Sequence, residues 1–353
     1  MSFPFIEIII LDIILNPAIL IAKRRNTVNI KNVCYLPSGR IFLVNIGDYL
    51  IECTEMRDVA VDGKLHAEVR QATDPHVIWK HLVPYEKKWL LTVSTQFGCV
   101  HDCLFCDVAQ LPFQGNLSQQ QIEDQVKLLI VNTPYVNECS KVKIGFARMG
   151  EPAHNLNNVL GAMTQLNNIS LELGKRFHWL PCFNTILPCK IMGNKTPEEV
   201  LNRVIGVKEE CFCGNLHLQI SCNSTDEAER QRLFGGSQVM PIEDIIKQVN
   251  NINITKRTVT LNFIIMKNIE VSVEKLKKMG LNGRKFTVKL IPLNQTMNSE
   301  NNNLETFANY NNYEDLLKLQ DEFTKAGVPV VVDAIAKCEE AGLCCGQLAQ
   351  IFQ

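Results

Sequence analysis

The sequence predicts an α/β chain: a partial (β/α)6 barrel preceded by a small β-rich N-terminal module. From about residue 88 onward, apolar strand-like runs alternate with helix-like stretches, the pattern of a parallel sheet with crossover helices. Before that point, residues 33 to 63 read as short strands broken by turn residues. A length of 353 residues with 46% apolar side chains is ample for a large core.

Taken in order, the first element is an apolar run over residues 3–15, interrupted by Glu7 and Asp12 and closed by Asn16 and Pro17. Two charges at bilayer depth are costly, and no basic region precedes the run as in a signal peptide. It is expected to be a buried or partner-facing segment rather than a membrane span, with a poorly ordered extension as the alternative. Pro37-Ser38-Gly39 and Gly47-Asp48 then punctuate apolar runs such as Ile41 to Val44 and Tyr49 to Ile51. Leu90 to Ser94 is the first barrel strand, and Ser118-x-x-Gln121 is a capping-box start for a helix through Ile122, Val126 and Leu129.

Five further strands are expected at 142–146, 179–183, 216–220, 259–265 and 286–291, with helices such as Leu156 to Leu173 and Val271 to Met279 between them. The Asn-rich stretch 298–312 reads as a flexible loop, followed by a helix over 313–326 and a strand over 328–332. Three regions result: an N-terminal extension and β module (1–87), the barrel (88–335) and a cysteine-containing tail (336–353). Functional residues are expected on loops leaving the C-terminal strand ends.

Charge narrows the partners. With 36 basic against 37 acidic residues the net charge is −1, so no global basic field advertises nucleic acid. A local basic mouth would still suffice for RNA. The 14 cysteines are scattered, with no secretory signal. In a large chain of this kind they read as metal-binding or catalytic rather than as a disulfide framework.

Gly98-Cys99-Val100-His101-Asp102-Cys103-Leu104-Phe105-Cys106 concentrates three of them at C-x3-C-x2-C spacing. Three thiolates on one tight loop can hold three irons of a [4Fe-4S] cube and leave the fourth open for chemistry. A structural zinc site with His101 as fourth ligand is the competing reading; the absence of a second knuckle weighs against it. Such a cluster needs a reducing compartment, which makes the cytoplasm the default. One βα unit later, Ala147-Arg148-Met149-Gly150-Glu151-Pro152 forms a turn after a strand, exposing backbone groups and one carboxylate at the barrel mouth.

The Cys loop, its Phe105-Cys106 pair and the Gly150-Glu151-Pro152 turn together resemble the radical S-adenosylmethionine (SAM) enzymes. More specifically, the segments 94–99, 115–118, 149–159, 220–230, 290–294 and 345–348, in that order, are similar to the RNA adenine-C2 methyltransferases acting on ribosomal and transfer RNA. The resemblance covers roughly residues 90 to 350. It implies a radical-SAM partial barrel with a [4Fe-4S] cluster on Cys99, Cys103 and Cys106 and SAM as cosubstrate. Gly150 and Glu151 would hold its methionyl end, with Cys182, Ser221, Asn223 and Asn294 also at SAM-contacting positions. Cys182 and Asn223 are substitutions of the family's residues; Ser221 and Asn294 match.

The resemblance further implies that Cys345 accepts a methyl group from one SAM. A 5′-deoxyadenosyl radical from a second SAM would activate that group for addition to adenine. A second cysteine and a general base would then release the product. At the position of that second cysteine stands Thr92, leaving Cys344, Cys338 and Cys53 as replacements; Glu52 is the candidate base and Glu55 its neighbour. Arg148 replaces a glycine before Met149, and the family's helical RNA-binding domain has no clear counterpart in residues 1–90. The expectation is an RNA methyltransferase working through Cys345, a monomer off the membrane that draws electrons from a flavodoxin or ferredoxin. The alternative is a radical SAM enzyme acting on a small molecule or peptide without the methyl-cysteine chemistry.

Overall fold

The computed structural model describes residues 28–60, 74–306, 314–333 and 344–352. The apolar run 3–15, residues 61–73, Cys338 and the start of the C-terminal tail lie outside the described residues.

The chain opens on an antiparallel meander of β1 (Val28–Leu36), β2 (Gly39–Ile46) and β3 (Tyr49–Arg57). Gly47 takes φ +62 in the second hairpin turn, a conformation that strand-matching tight turns demand. The module begins earlier than residue 33 because Val28 to Asn32 pair with Leu43 to Ile46. After the helix Pro75–His81, capped by Asp74, comes β4 (Trp89–Thr92), antiparallel to β3. The meander and the barrel therefore share one sheet across residue 87.

A two-stranded ribbon of β5 (Gln96–Phe97) and β6 (Gly115–Asn116) brackets the cysteine loop. The parallel series continues through β7 (Glu138–Gly145), β8 (Arg176–Thr185), β9 (His217–Ser221), β10 (Val259–Ile265), β11 (Phe286–Pro292) and β12 (Val330–Val332). Sheet order is β1-β2-β3-β4-β7-β8-β9-β10-β11-β12, every neighbour from β4 onward being parallel. Leu90 of β4 and Val331 of β12, from the two ends of that parallel run, line one cavity, so the sheet curls into an incomplete barrel without closing. The six expected strands all form, with β12 on the parallel edge.

Alternation on the strands explains the layering. Val142 and Ile144 on β7 point into the apolar layer under the helices, while Lys143 between them turns to the interior of the curl. The helix Gln119–Val131 starts at Ser118 with the full capping box to Gln121, as its sequence predicts. Leu156–Glu172 buries Val159, Leu160, Met163, Leu166 and Ile169, an i, i+3/i+4 stripe against the sheet. Each such side chain contributes about 1.5–3 kcal/mol on leaving water.

One expectation fails here. Met297–Asn301, overlapping the start of the stretch read as a flexible loop, is a helical turn with Thr296 and Ser299 in a capping box. The asparagines suggest a loop, but a local cap and tertiary hydrogen bonds decide otherwise.

Candidate active site at the barrel mouth

The cysteine loop leaves β5 through Gly98 at φ +72, where a Cβ would lie 2.4 Å from the Pro112 carbonyl oxygen. Glycine is thus required for the loop to turn back. Asn298 fastens the loop from the far side: its Nδ2 donates to the carbonyls of Cys103 (2.8 Å) and Cys106 (3.2 Å), and its N–H to Asp107 Oδ1 (2.9 Å). Thr296 Oγ1 donates to the Phe105 carbonyl at 3.1 Å. This clamp is the part of the site that sequence reading missed, although Thr296-x-x-Ser299 was a visible cap signal.

Cys99, Cys103 and Cys106 line a single cavity of about 150 Å3 together with Gly150, Glu151, Ser221 and Cys345. Burial pushes all three thiols up, Cys99 to about 12; Cys106 and Cys99 add to the rise of Cys103, and Cys345 and Cys99 to that of Cys106. A thiol trio of this kind ionises when a cationic iron group binds, so the donor set fits a cluster. Among the described residues no three His, Cys, Asp or Glu side chains converge as around a single metal ion. His101, the fourth ligand a zinc reading would need, is engaged elsewhere. Its Nε2 meets His154 Nε2 at 3.0 Å and its Nδ1 meets Ser237 Oγ at 2.8 Å. Met192 N–H donates to His154 Nδ1, which assigns the His154 proton to Nε2 and makes His101 Nε2 the acceptor.

Gly150 sits at φ +96 against Gln96, with no room for a Cβ. Gln96 Oε1 accepts from the Glu151 N–H at 2.9 Å. The Glu151 carboxylate faces inward, accepting from Thr185 Oγ1 (2.5 Å), Ala153 N–H (3.0 Å) and Ile186 N–H (3.0 Å). Burial raises it to about 7 against those hydrogen bonds. Ser221 lines the cavity from the end of β9. Asn223, at φ +63, accepts at Oδ1 from the Ile264 N–H, while its buried Nδ2 finds no partner among the described residues. Cys182 is set back from the cavity: Gln219 Nε2 donates to its sulfur at 3.0 Å, and Asn184, to which the thiol donates, takes its place in the lining. Asn294 is half-buried just beyond β11, on the approach to the Asn298 clamp.

The C-terminal segment closes the site. Cys345 lines the cavity with Cys99, Cys103 and Cys106, 3.8 Å from Arg148 Nη1, and Arg148 Nη2 donates to the Cys344 carbonyl at 3.2 Å. Arg148 also pairs with Glu52 at 2.7 Å, both side chains buried. Glu52 in turn accepts from the N–H groups of Gly346 (3.1 Å) and Ala349 (2.9 Å), at the start of the helix Gln347–Ile351. Burial raises the Cys345 thiol, Arg148 pulls it back down and Glu52 adds to the rise.

Thr92 Oγ1 is bonded to Thr54 Oγ1 at 2.6 Å on the inner face of the sheet. Cys53 points the other way into the apolar core, out of reach of the cavity. Glu55 is likewise on that outer face, accepting from Arg40, Tyr85 and Trp89.

No family model matches the chain. It is 28% identical to the "Probable dual-specificity RNA methyltransferase RlmN" of Aquifex aeolicus over 78% of this chain and 73% of that protein. Against the Chlorobaculum tepidum protein of the same name it is 26% identical over 58% and 51%. The chain is similar to these RlmN proteins at under 30% identity. It spans from about half to about three quarters of their lengths. Among solved structures, a radical SAM methyltransferase from Sphaerobacter thermophilus superposes with a TM-score of 0.62, covering 91% of this chain and 81% of that one at 17% identity, which establishes the fold. Among the described residues no helix is long and apolar enough to cross a membrane.

Proposed function

We propose that the chain is a radical SAM enzyme that methylates RNA adenine through Cys345. The observation that carries this reading is the shared cavity: Cys345 lines the same space as Cys99, Cys103, Cys106 and Glu151. The RlmN relatives are named as RNA methyltransferases, and their likeness supports RNA as substrate.

Cys99, Cys103 and Cys106 would hold the [4Fe-4S] cluster. Bound there, the cluster supplies the electron that splits SAM to methionine and a 5′-deoxyadenosyl radical. Gly150, Glu151, Ser221, Asn223 and Asn294 position SAM; the inward Glu151 carboxylate complements an ammonium group, and the unpartnered Asn223 Nδ2 is a ready donor. Cys345 takes a methyl group from a first SAM as a thioether, its proton leaving the thiol and S-adenosylhomocysteine departing. Arg148, beside the sulfur, favours the thiolate that attacks.

Glu52 anchors the tail bearing Cys345. Its carboxylate is occupied by Arg148 and two backbone N–H groups, so both oxygens already have partners. With Thr92 in place of a thiol and Cys53 buried, Cys344 is the candidate for release that the described residues leave. The enzyme acts as a monomer in the cytoplasm, with a flavodoxin or ferredoxin as electron donor.

Anaerobic incubation with methyl-labelled SAM and reductant, followed by mass spectrometry of the C-terminal peptide, tests the reading. Label on Cys345 is expected. Formation of 5′-deoxyadenosine with Cys345 never modified would transfer support to a small-molecule or peptide substrate.

A further inference from the structure

A second cavity, of about 440 Å3, occupies the opposite end of the barrel from the cluster loop. Its lining comes from the N-terminal ends of the strands: His217 opens β9, Thr258 directly precedes β10, and Thr287 is the second residue of β11. Ser221, in the cluster cavity, lies four residues beyond His217 on the same strand. At ~3.3 Å per residue the two sites are roughly 13 Å apart.

The charge at this end is unbalanced. Lys88, Lys143, Lys256, Arg257 and Lys289 line the cavity against two carboxylates, Asp58 and Asp333. Both carboxylates are already engaged, Asp58 by Lys88 and Asp333 by Lys289. Among the described residues no carboxylate pairs with Lys143 or Arg257, and Arg257 Nε is buried without a hydrogen-bond partner. The cations are felt by their neighbours. Burial, then Lys143, Arg257, Lys289 and Lys141, push His217 down to about 3. Lys143 itself is lowered, chiefly by burial. Clustered cations without an anion destabilise the folded chain, and a bound anion would remove that cost.

Hydroxyls complete the site. Thr258 and Thr287 share a hydrogen bond of 2.7 Å, and Thr260 is bonded to His217 Nε2 at 2.7 Å. Lysine and arginine donors with threonine hydroxyls are the groups that recognise phosphate oxygens. No Phe, Tyr or Trp lines the cavity, so a nucleobase has no stacking platform.

We propose that this cavity is a binding site for a compact, multiply charged phosphate oxyanion, at the end of the barrel away from the cluster and independent of the methyl-transfer site. The probe is inorganic pyrophosphate, added to the full chain at constant ionic strength so that general screening is held fixed. Calorimetric titration is expected to show saturable one-to-one binding, and the melting temperature is expected to rise with pyrophosphate concentration as linkage requires. Lys143→Met and Arg257→Gln should each weaken binding at least tenfold, while the control Lys278→Met, at an exposed paired lysine, leaves it unchanged. Without pyrophosphate, Lys143→Met should melt higher than the parent because it relieves the repulsion. If one of the two variants fails to fold, the other decides. Absence of saturable heat, affinity equal to the parent's in both variants, or binding of RNA oligonucleotides without binding of pyrophosphate would each overturn the proposal.

Discussion

The Glu52 carboxylate receives Arg148 and two backbone N–H groups in a region without solvent, so each partner holds the others in place. Removing one member leaves a buried charge uncompensated. Arg148→Met is therefore expected to cost about 3–5 kcal/mol in urea unfolding, and Glu52→Gln less, because the amide keeps part of the hydrogen bonding. Glu52→Gln should also speed alkylation of Cys345 by iodoacetamide as the tail loosens. Unchanged alkylation together with lost RNA turnover would instead support Glu52 as a general base. His217 supplies a pH dependence at the same scale. Its folded pKa of about 3 lies below the ordinary 6.5, so the unfolded chain binds the extra proton between those values. Its contribution to stability is full above pH 6.5 and is lost as pH falls toward 3. His217→Gln should flatten that part of a stability-versus-pH curve measured by chemical denaturation.

At the level of elements, the short helix Met297–Asn301 governs the cysteine loop although it carries none of the thiols. Asn298→Ala removes the Nδ2 donor from two loop carbonyls and the Oδ1 acceptor from Gln110, while the backbone N–H keeps its bond to Asp107, at a cost of about 1–3 kcal/mol. The expected outcome is lower iron content after anaerobic reconstitution and faster iron loss to a chelator, with the helix content by circular dichroism retained. An iron content equal to that of the parent would show that the loop holds its shape unaided. The loop's own contribution is legible from sequence: C-x3-C-x2-C and Gly98 were both visible, and Gly98 proves necessary because its φ is +72. The clamp was hidden because asparagine-rich segments read as loops until a partner accepts their hydrogen bonds.

For the molecule as a whole, one curled sheet creates two interior ends of opposite character. Thiols, Glu151 and Cys345 gather where the strands finish, and lysines, Arg257 and threonines gather where they begin. The tail bridges the first end by docking on Glu52 of β3 and Arg148 after β7, elements far apart in sequence. A chain truncated before Cys344 should therefore lose thermal stability as well as methyl acceptance, since Glu52 and Arg148 lose their tail partners. A melting temperature equal to that of the full chain would contradict the docking.

The sequence by itself determined the strand-helix alternation, the cysteine loop and the Gly150-Glu151-Pro152 turn, because spacing and periodicity are local properties of the chain; the candidate methyl acceptor, Cys345, came from the family resemblance. Tertiary structure alone decided that Cys53 and Glu55 face away from the site, that Asn184 replaces Cys182 in the cavity wall, and that Glu52 is tied to Arg148. Those outcomes depend on which face of a strand turns inward and on which distant side chains meet there. Pairing across the fold sets both.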